Sequence, residues 1–167
     1  MVKIGILSDT HGYIDKRIFK YFDNCDEIWH CGDWGSTEAV EKLRAFKPVR
    51  GVWGNIDSYE IRNIFPMHNR FRIEETEVWI THIGGYPGKY DALVRPAIYE
   101  KPPKLFVCGH SHILKVQFDK SLNLLHINPG AAGKYGFHTV QTLVRLEIDG
   151  NKIQNLEVIE LEARQKI

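Results

Sequence analysis

Leu105-Phe106-Val107-Cys108-Gly109-His110-Ser111-His112 is an apolar run that breaks into a glycine and two imidazoles. Bounded by Pro102-Pro103 before it and Gly109 after it, the run reads as a short β-strand with polar residues at its end. The same arrangement recurs four times: Ile4-Gly5-Ile6-Leu7 leads into Asp9-Thr10-His11, Ile28-Trp29-His30-Cys31 into Gly32-Asp33, Val49 to Trp53 into Gly54-Asn55, and Val78-Trp79-Ile80-Thr81 into His82. Polar residues at strand ends gather along one edge of a sheet, so groups distant in the chain can converge on one point.

Taken singly, each block has a plain structural explanation. Asp9-x-His11 fits a turn and a helix cap, Gly32-Asp33 a solvated loop, Asn55 in Gly54-Asn55-Ile56-Asp57 a turn, and His82 an exposed strand end. Five strand-end blocks carrying only carboxylate, amide and imidazole groups are improbable as independent accidents. Together, Asp9, His11, Asp33, Asn55, His82, His110 and His112 form the kind of oxygen and nitrogen donor set that a two-metal hydrolytic site needs. A carboxylate such as Asp33 has two oxygens and can bridge two cations about 3.5–4 Å apart, offsetting their repulsion.

Strands and helices alternate over the first two thirds of the chain. Ile14, Ile18, Phe19 and Phe22 recur at helical spacing with Asp15 near the start; Val40, Leu43 and Phe46 do so after Ser36 and Thr37, which can cap. A third helix is expected from about Lys89 to Tyr99, kinked or delayed by Pro96. From Leu114 onward come only strands: Lys115 to Phe118, Leu122 to Ile127, Thr139 to Ile148 and Ile153 to Leu161, with turn signals at Asp119 to Ser121 and at Asp149-Gly150-Asn151. Hairpins or a meander follow, and two sheets face to face with helices outside are the economical architecture. Trp29, Trp53 and Trp79 lie in strand runs and are read as core, whereas Tyr13 and Trp34 suit either the mouth of the site or packing.

At 167 residues, one domain over 1–167 is expected, large enough to bury a core without disulfides. The formal charge of +1, from 22 basic and 21 acidic residues, gives no global attraction to nucleic acid or an anionic membrane. Cys25, Cys31 and Cys108 form no C-x-x-C pair and read as buried reduced thiols. Met1-Val2-Lys3-Ile4 enters the first strand at once, with no room for a signal peptide, and no apolar stretch approaches a membrane span; a cytoplasmic location is the expectation.

In this order and spacing the blocks resemble the calcineurin-like metallophosphoesterases, in particular their small YfcE-type phosphodiesterase branch. The resemblance rests on Ser8-Asp9-Thr10-His11-Gly12, His30-Cys31-Gly32-Asp33, Val52-Trp53-Gly54-Asn55-Ile56-Asp57, Thr81-His82, Cys108 to His112 and Ile127-Asn128-Pro129-Gly130, and covers nearly the whole chain. It implies an α/β fold, a four-layer α/β/β/α sandwich of two mixed sheets flanked by helices. It implies one metal on Asp9, His11, Asp33 and His112 and a second on Asp33, Asn55, His82 and His110, with Asp33 bridging. Two divalent cations are implied, typically Mn²⁺, with Fe, Ni, Co and Zn also suited to mixed imidazole and carboxylate donors. The implied reaction is hydrolysis of a small phosphoester, foremost a diester, by a water shared between the ions, with Asp33, Asn55, His82 and His110 as catalytic residues. Asp57 is expected either to support a ligand or to be a turn residue.

Two departures stand out. Many relatives have a histidine where this chain has Ile56, placed to protonate the leaving oxygen; its absence favours good leaving groups or protonation by another group. Ile83-Gly84-Gly85-Tyr86-Pro87-Gly88 also departs from the common pattern after His82. The glycine-rich Asn128 to Gly133 segment could offer backbone N–H groups, and Lys134 or His138 a charge, to a substrate anion, although a plain turn explains it as well. A small phosphoester substrate is the expected partner, with no membrane and self-association left open. The rivals are a protein-contact scaffold like the retromer subunit of the same fold, and a nuclease, which the lack of a basic stripe disfavours.

Overall fold

The computed structural model describes residues 1–137 and 140–161; His138, a candidate anion contact, and Thr139 lie outside them. The strands are β1 (Val2–Leu7), β2 (Glu27–His30), β3 (Val49–Gly51), β4 (His68–Ile73), β5 (Thr76–Thr81), β6 (Gly85–Tyr86), β7 (Lys89–Tyr90), β8 (Leu105–Val107), β9 (Lys115–Asp119), β10 (Leu124–Asn128), β11 (Gln141–Asp149) and β12 (Lys152–Leu161). The helices are α1 (Arg17–Tyr21), α2 (Thr37–Phe46), α3 (Tyr59–Ile64) and α4 (Arg95–Glu100).

One sheet has the order β12-β11-β1-β2-β3 and the other β4-β5-β8-β10-β9. Both are mixed: β1, β2 and β3 run parallel, as do β5, β8 and β10, while β11, β12, β4 and β9 pair antiparallel. Three apolar clusters account for four layers. Ile4, Ile6, Trp29 and Val144 of the first sheet meet Val78, Ile80, Val107 and Ile127 of the second between the sheets. On the first sheet's outer face Leu7 and Ile28 pack on Ile18, Val40, Leu43 and Ile61 of α1, α2 and α3. On the second sheet's outer face Trp79 and Phe106 pack on Val94 and Ile98 of the α4 region. The period of two along β1 and β2 produces this division, since alternate side chains leave a strand on opposite faces.

The ends of α2 follow the sequence closely, with Ser36 Oγ accepting the Ala39 N–H. The third expected helix starts late: α4 begins at Arg95 with Pro96 in its first turn, the one place a proline fits. Lys89 and Tyr90 instead pair with Gly85 and Tyr86 in a two-stranded ribbon. The terminal strands form two hairpins in different sheets rather than one meander, because β10 closes the second sheet and β11 returns to β1. β3 stops at Gly51, so Trp53 is only half buried and carries the Arg62 guanidinium 4.1 Å above its ring.

Trp34 proves to be packing rather than rim. It is fully buried, stacked 3.6 Å from His30 and 4.7 Å from Phe65, and its Nε1–H donates to the Val52 carbonyl at 3.0 Å. Trp34→Ala is expected to cost about 3–5 kcal/mol in urea denaturation, as large buried rings do. A cost below about 1 kcal/mol would show that the loop after β2 does not depend on this stack.

Candidate metal centre

The parallel strands of each sheet end in register, Leu7 opposite His30, His30 opposite Gly51, Ile80 opposite Val107 and Val107 opposite Ile127. The loops that follow therefore leave one edge of the sandwich together. Backbone pairing continues beyond the strands: Asp9 N–H donates to Gly32 O at 3.0 Å, His11 N–H to Asp33 O at 3.1 Å and Gly109 N–H to His82 O at 2.9 Å. Asp9, His11, Asp33, His110 and His112 all adopt left-handed backbone, with φ of 53°, 47°, 58°, 70° and 60°. Non-glycine residues seldom occupy that region, so five candidate ligands share a conformation that costs free energy and turns their side chains inward. Two glycines allow the loops to touch. A Cβ on Gly54 would lie 2.0 Å from Asp33 Oδ1, and one on Gly109 2.1 Å from Ser8 Oγ.

All seven side chains singled out from the sequence come together along this edge. Asp9, His11 and His112 form one group, and Asp33, His82 and His110 a second, with the donor atoms within each no more than 4.8 Å apart. In the first, His11 Nε2 lies 3.3 Å from His112 Nε2, and Asp9 Oδ1 lies 3.2 Å from His112 Nε2 and 3.9 Å from His11 Nε2. In the second, His82 Nε2 lies 3.2 Å from Asp33 Oδ2 and 3.0 Å from Asn55 Oδ1. Asp33 Oδ2 is also 3.8 Å from His11 Nε2, so one oxygen faces both groups, while Oδ1 accepts the Ile56 N–H at 3.1 Å.

This donor set fits cations. Asp9 Oδ1 is buried without a hydrogen-bond partner among the described residues, whereas Oδ2 accepts from Ser8 Oγ at 2.6 Å and His110 N–H at 3.1 Å. A carboxylate buried with one oxygen unsatisfied is costly unless a positive charge faces it. Two imidazole nitrogens 3.3 Å apart are at the spacing of donors sharing one ion, about 3.0–3.4 Å for bonds near 2.1 Å. His82 Nδ1–H donates to the Cys31 carbonyl at 2.7 Å, which fixes the tautomer and leaves Nε2 to face Asp33 and Asn55.

Several residues support the loops of the site, Asp57 among them. Asp57 accepts the Gly35 and Gly54 N–H groups at 3.0 and 2.8 Å, clamping the loops after β2 and β3. Asn128 Nδ2 donates to Gly109 O and Ser111 Oγ, both at 3.0 Å, and so holds the His110 loop. His30 accepts the Gly32 N–H at 3.1 Å and pairs with Thr10 Oγ1 at 3.0 Å. His30 and Asn128 each end a strand, which is the only sequence signal they share. The N–H groups of Ala132 and Gly133 are directed at Ser8 O and Asp9 O, so the glycine-rich segment buttresses the first loop. Lys134 lies 4.1 Å above the Tyr13 ring.

Charge coupling within the two groups sets a pH dependence. The Asp9 carboxylate, 3.2 Å away, raises the His112 pKa against the opposing effect of burial. Burial pulls the His82 pKa down but is outweighed by the Asp33 hydrogen bond and the charges of Asp9 and Asp33, leaving it raised. Burial pushes Asp33 up, and the His82 contacts with the Ile56 N–H reverse this, leaving it lowered. Raised histidine values stabilise the metal-free fold below the unfolded value of 6.5, and that stability is lost as pH rises through the folded values. A cation must displace the same protons, so its affinity moves the other way. Between about pH 6 and pH 8 the urea midpoint of the chelator-treated protein is expected to fall while Mn²⁺ affinity by calorimetry rises. An affinity independent of pH across that window would remove the imidazoles from the ligand set.

Sequence and fold are both shared with known proteins. Residues 2–151 match the calcineurin-like phosphoesterase superfamily domain. A probable metallophosphoesterase of Methanocaldococcus jannaschii is 29% identical over 134 residues, covering 77% of this chain and 67% of the relative. Among solved structures, an archaeal phosphodiesterase superposes with a TM-score of 0.76 at 22% identity, covering 95% of this chain and 99% of the other. Vps29 of Entamoeba histolytica complexed with Zn²⁺ does so with a TM-score of 0.73 at 15% identity, covering 95% and 98%.

Proposed function

Because the chain belongs to the calcineurin-like phosphoesterase superfamily, we propose that it is a phosphodiesterase dependent on two divalent cations, hydrolysing a small phosphodiester. The observation that carries this reading is the pair of donor groups facing one another across Asp33 Oδ2, with Asp9 Oδ1 buried and unpartnered beside them. Asp9, His11, Asp33 and His112 would hold one ion, and Asp33, Asn55, His82 and His110 the other, Mn²⁺ being the first choice. When bound, the cations supply Lewis-acid neutralisation of the phosphoryl oxygens and an acidified water.

The chain's own contribution is positioning. The Ile56 N–H fixes Asp33 Oδ1, so Oδ2 cannot swing from between the groups. The Cys31 carbonyl keeps His82 in one tautomer, and Asn55 Oδ1 adds a neutral donor within reach of a phosphoryl group. Ile56 itself has a half-exposed aliphatic side chain with no proton to give. Leaving groups that depart as stable anions are therefore preferred.

The test is to strip the protein with chelator, restore Mn²⁺, Fe²⁺, Co²⁺, Ni²⁺ or Zn²⁺ separately, and assay p-nitrophenyl mono- and diesters. Diester turnover that returns with about two ions per chain is expected. No turnover with any of the cations would end the hydrolase reading. The scaffold alternative draws on the Vps29 likeness, which at 15% identity carries the fold alone. The complete donor set favours hydrolysis over it.

A further inference from the structure

A cavity of about 440 Å³ opens beside the second donor group, sharing His110 with it and lined also by the flanking Gly109 and Ser111. We propose that this cavity is a binding subsite for one ester arm of the substrate, and that the arm carries a planar nitrogen heterocycle of nucleobase type. The proposal rests on the phosphodiesterase reading for the position of the phosphate, and goes beyond it in naming what the arm is.

Position comes first. A phosphoryl group held beside His110 has its ester oxygens within reach of this cavity, because His110 belongs to both. β6 of the β6–β7 ribbon, absent from the sequence expectation, lines the cavity too and places Tyr86 there. Tyr86 is 43% exposed and Ile113, also lining the cavity, is 68% exposed. Two large apolar side chains left open on a cavity bordering a polar centre make a surface suited to a flat apolar ring. The Lys115 ammonium lies 4.5 Å from the Tyr86 ring centroid, which holds that ring as a fixed wall.

The polar lining selects among flat rings. Ser111 Oγ accepts from Asn128 Nδ2 and from the Ile113 N–H, so its own proton remains to be donated. Asp91 Oδ1 accepts the Leu93 N–H at 2.9 Å, and the carboxylate also lines the cavity as an acceptor for a ring amino group. His126 is 1% exposed, and its Nδ1 has no hydrogen-bond partner among the described residues. Burial, with Lys115 adding to it, pushes its pKa down to about 4, so it stays a neutral imidazole. His126 Nδ1 is itself out of reach of solvent, so the Ser111 hydroxyl and the Asp91 carboxylate are the groups a plain hydrocarbon ring would leave unanswered. A heterocycle with a ring nitrogen and an amino group can answer both.

The experiment uses the Mn²⁺-loaded protein and two readouts. Calorimetry compares adenosine 5′-monophosphate with methyl phosphate, and kinetics compare the p-nitrophenyl ester of adenosine 5′-phosphate with methyl p-nitrophenyl phosphate. The adenosine compounds are expected to bind, and to react in kcat/KM, about 5- to 100-fold better, the range for stacking one base on an aromatic ring. Tyr86→Ala should remove most of that advantage, and Ile113→Ala part of it, with metal content and methyl-ester turnover unchanged. Equal binding of the two monophosphates, or an advantage that survives Tyr86→Ala, would overturn the subsite. Tighter adenosine binding without turnover of either ester would instead sink the phosphodiesterase reading and leave the subsite standing.

Discussion

Asp33→Asn is expected to lower diester turnover at least about 10³-fold and to reduce bound metal from two ions per chain toward one. The substitution is nearly isosteric, and the amide oxygen can still accept the Ile56 N–H at the Oδ1 position. The other atom becomes an NH₂ group directed at His82 Nε2, 3.2 Å away, and at His11 Nε2, 3.8 Å away. A negative oxygen between two sites is thus replaced by a donor, and the charge that offsets repulsion between the cations disappears. Metal analysis and kcat/KM are the measurements, with a urea midpoint to show the fold intact. Retention of both ions with more than a tenth of the parental rate would remove Asp33 from the bridge.

Gly54→Ala is expected to have the next largest effect, through a methyl group that touches no substrate. Its Cβ would sit 2.3 Å from the backbone N of Asp33 and 2.0 Å from Asp33 Oδ1, which the Ile56 N–H holds in place. The loops after β2 and β3 must separate, although Asp57 ties Gly35 and Gly54 together. A stability loss of about 1–3 kcal/mol is the usual consequence of such overpacking. Turnover is expected to fall about 10²-fold or more as Asp33 is displaced, since misplacement of about 1 Å has that effect. Unchanged metal content and rate would mean that the two loops are far more compliant than their packing suggests.

Sheet architecture and the donor set were both legible in the sequence because they rest on the same signal, a short apolar run ending in a polar residue. β1, β2, β5 and β8 have that form, and their ends carry Asp9, Asp33, His82 and His110. α3 was not legible: its six residues are too few for a helical period to emerge, although Ser58 caps it through the Ile61 N–H. β4 was missed because His68 to Ile73 lies at an edge, and its alternation sets half-buried Asn69 and Phe71 among exposed residues instead of making an apolar run. β7 was hidden at the start of a stretch read as helix and β6 in the segment before it, since two-residue strands carry no period at all. Asp57 was expected either to support a ligand or to be a turn residue, and Asn128 was named only within a glycine-rich segment. Asp57 reaches the Gly35 N–H and Asn128 the Gly109 carbonyl, each on another loop, and such pairings have no spacing along the chain.

The left-handed backbone at Asp9, His11, Asp33, His110 and His112 has a consequence for evolution and engineering. Each such residue holds free energy, on the order of 1 kcal/mol or more, that a glycine in its place would release. Selection for heat resistance alone would therefore drift toward glycine at these positions and silence the centre one donor at a time. Robustness and chemistry compete for the same five backbone angles.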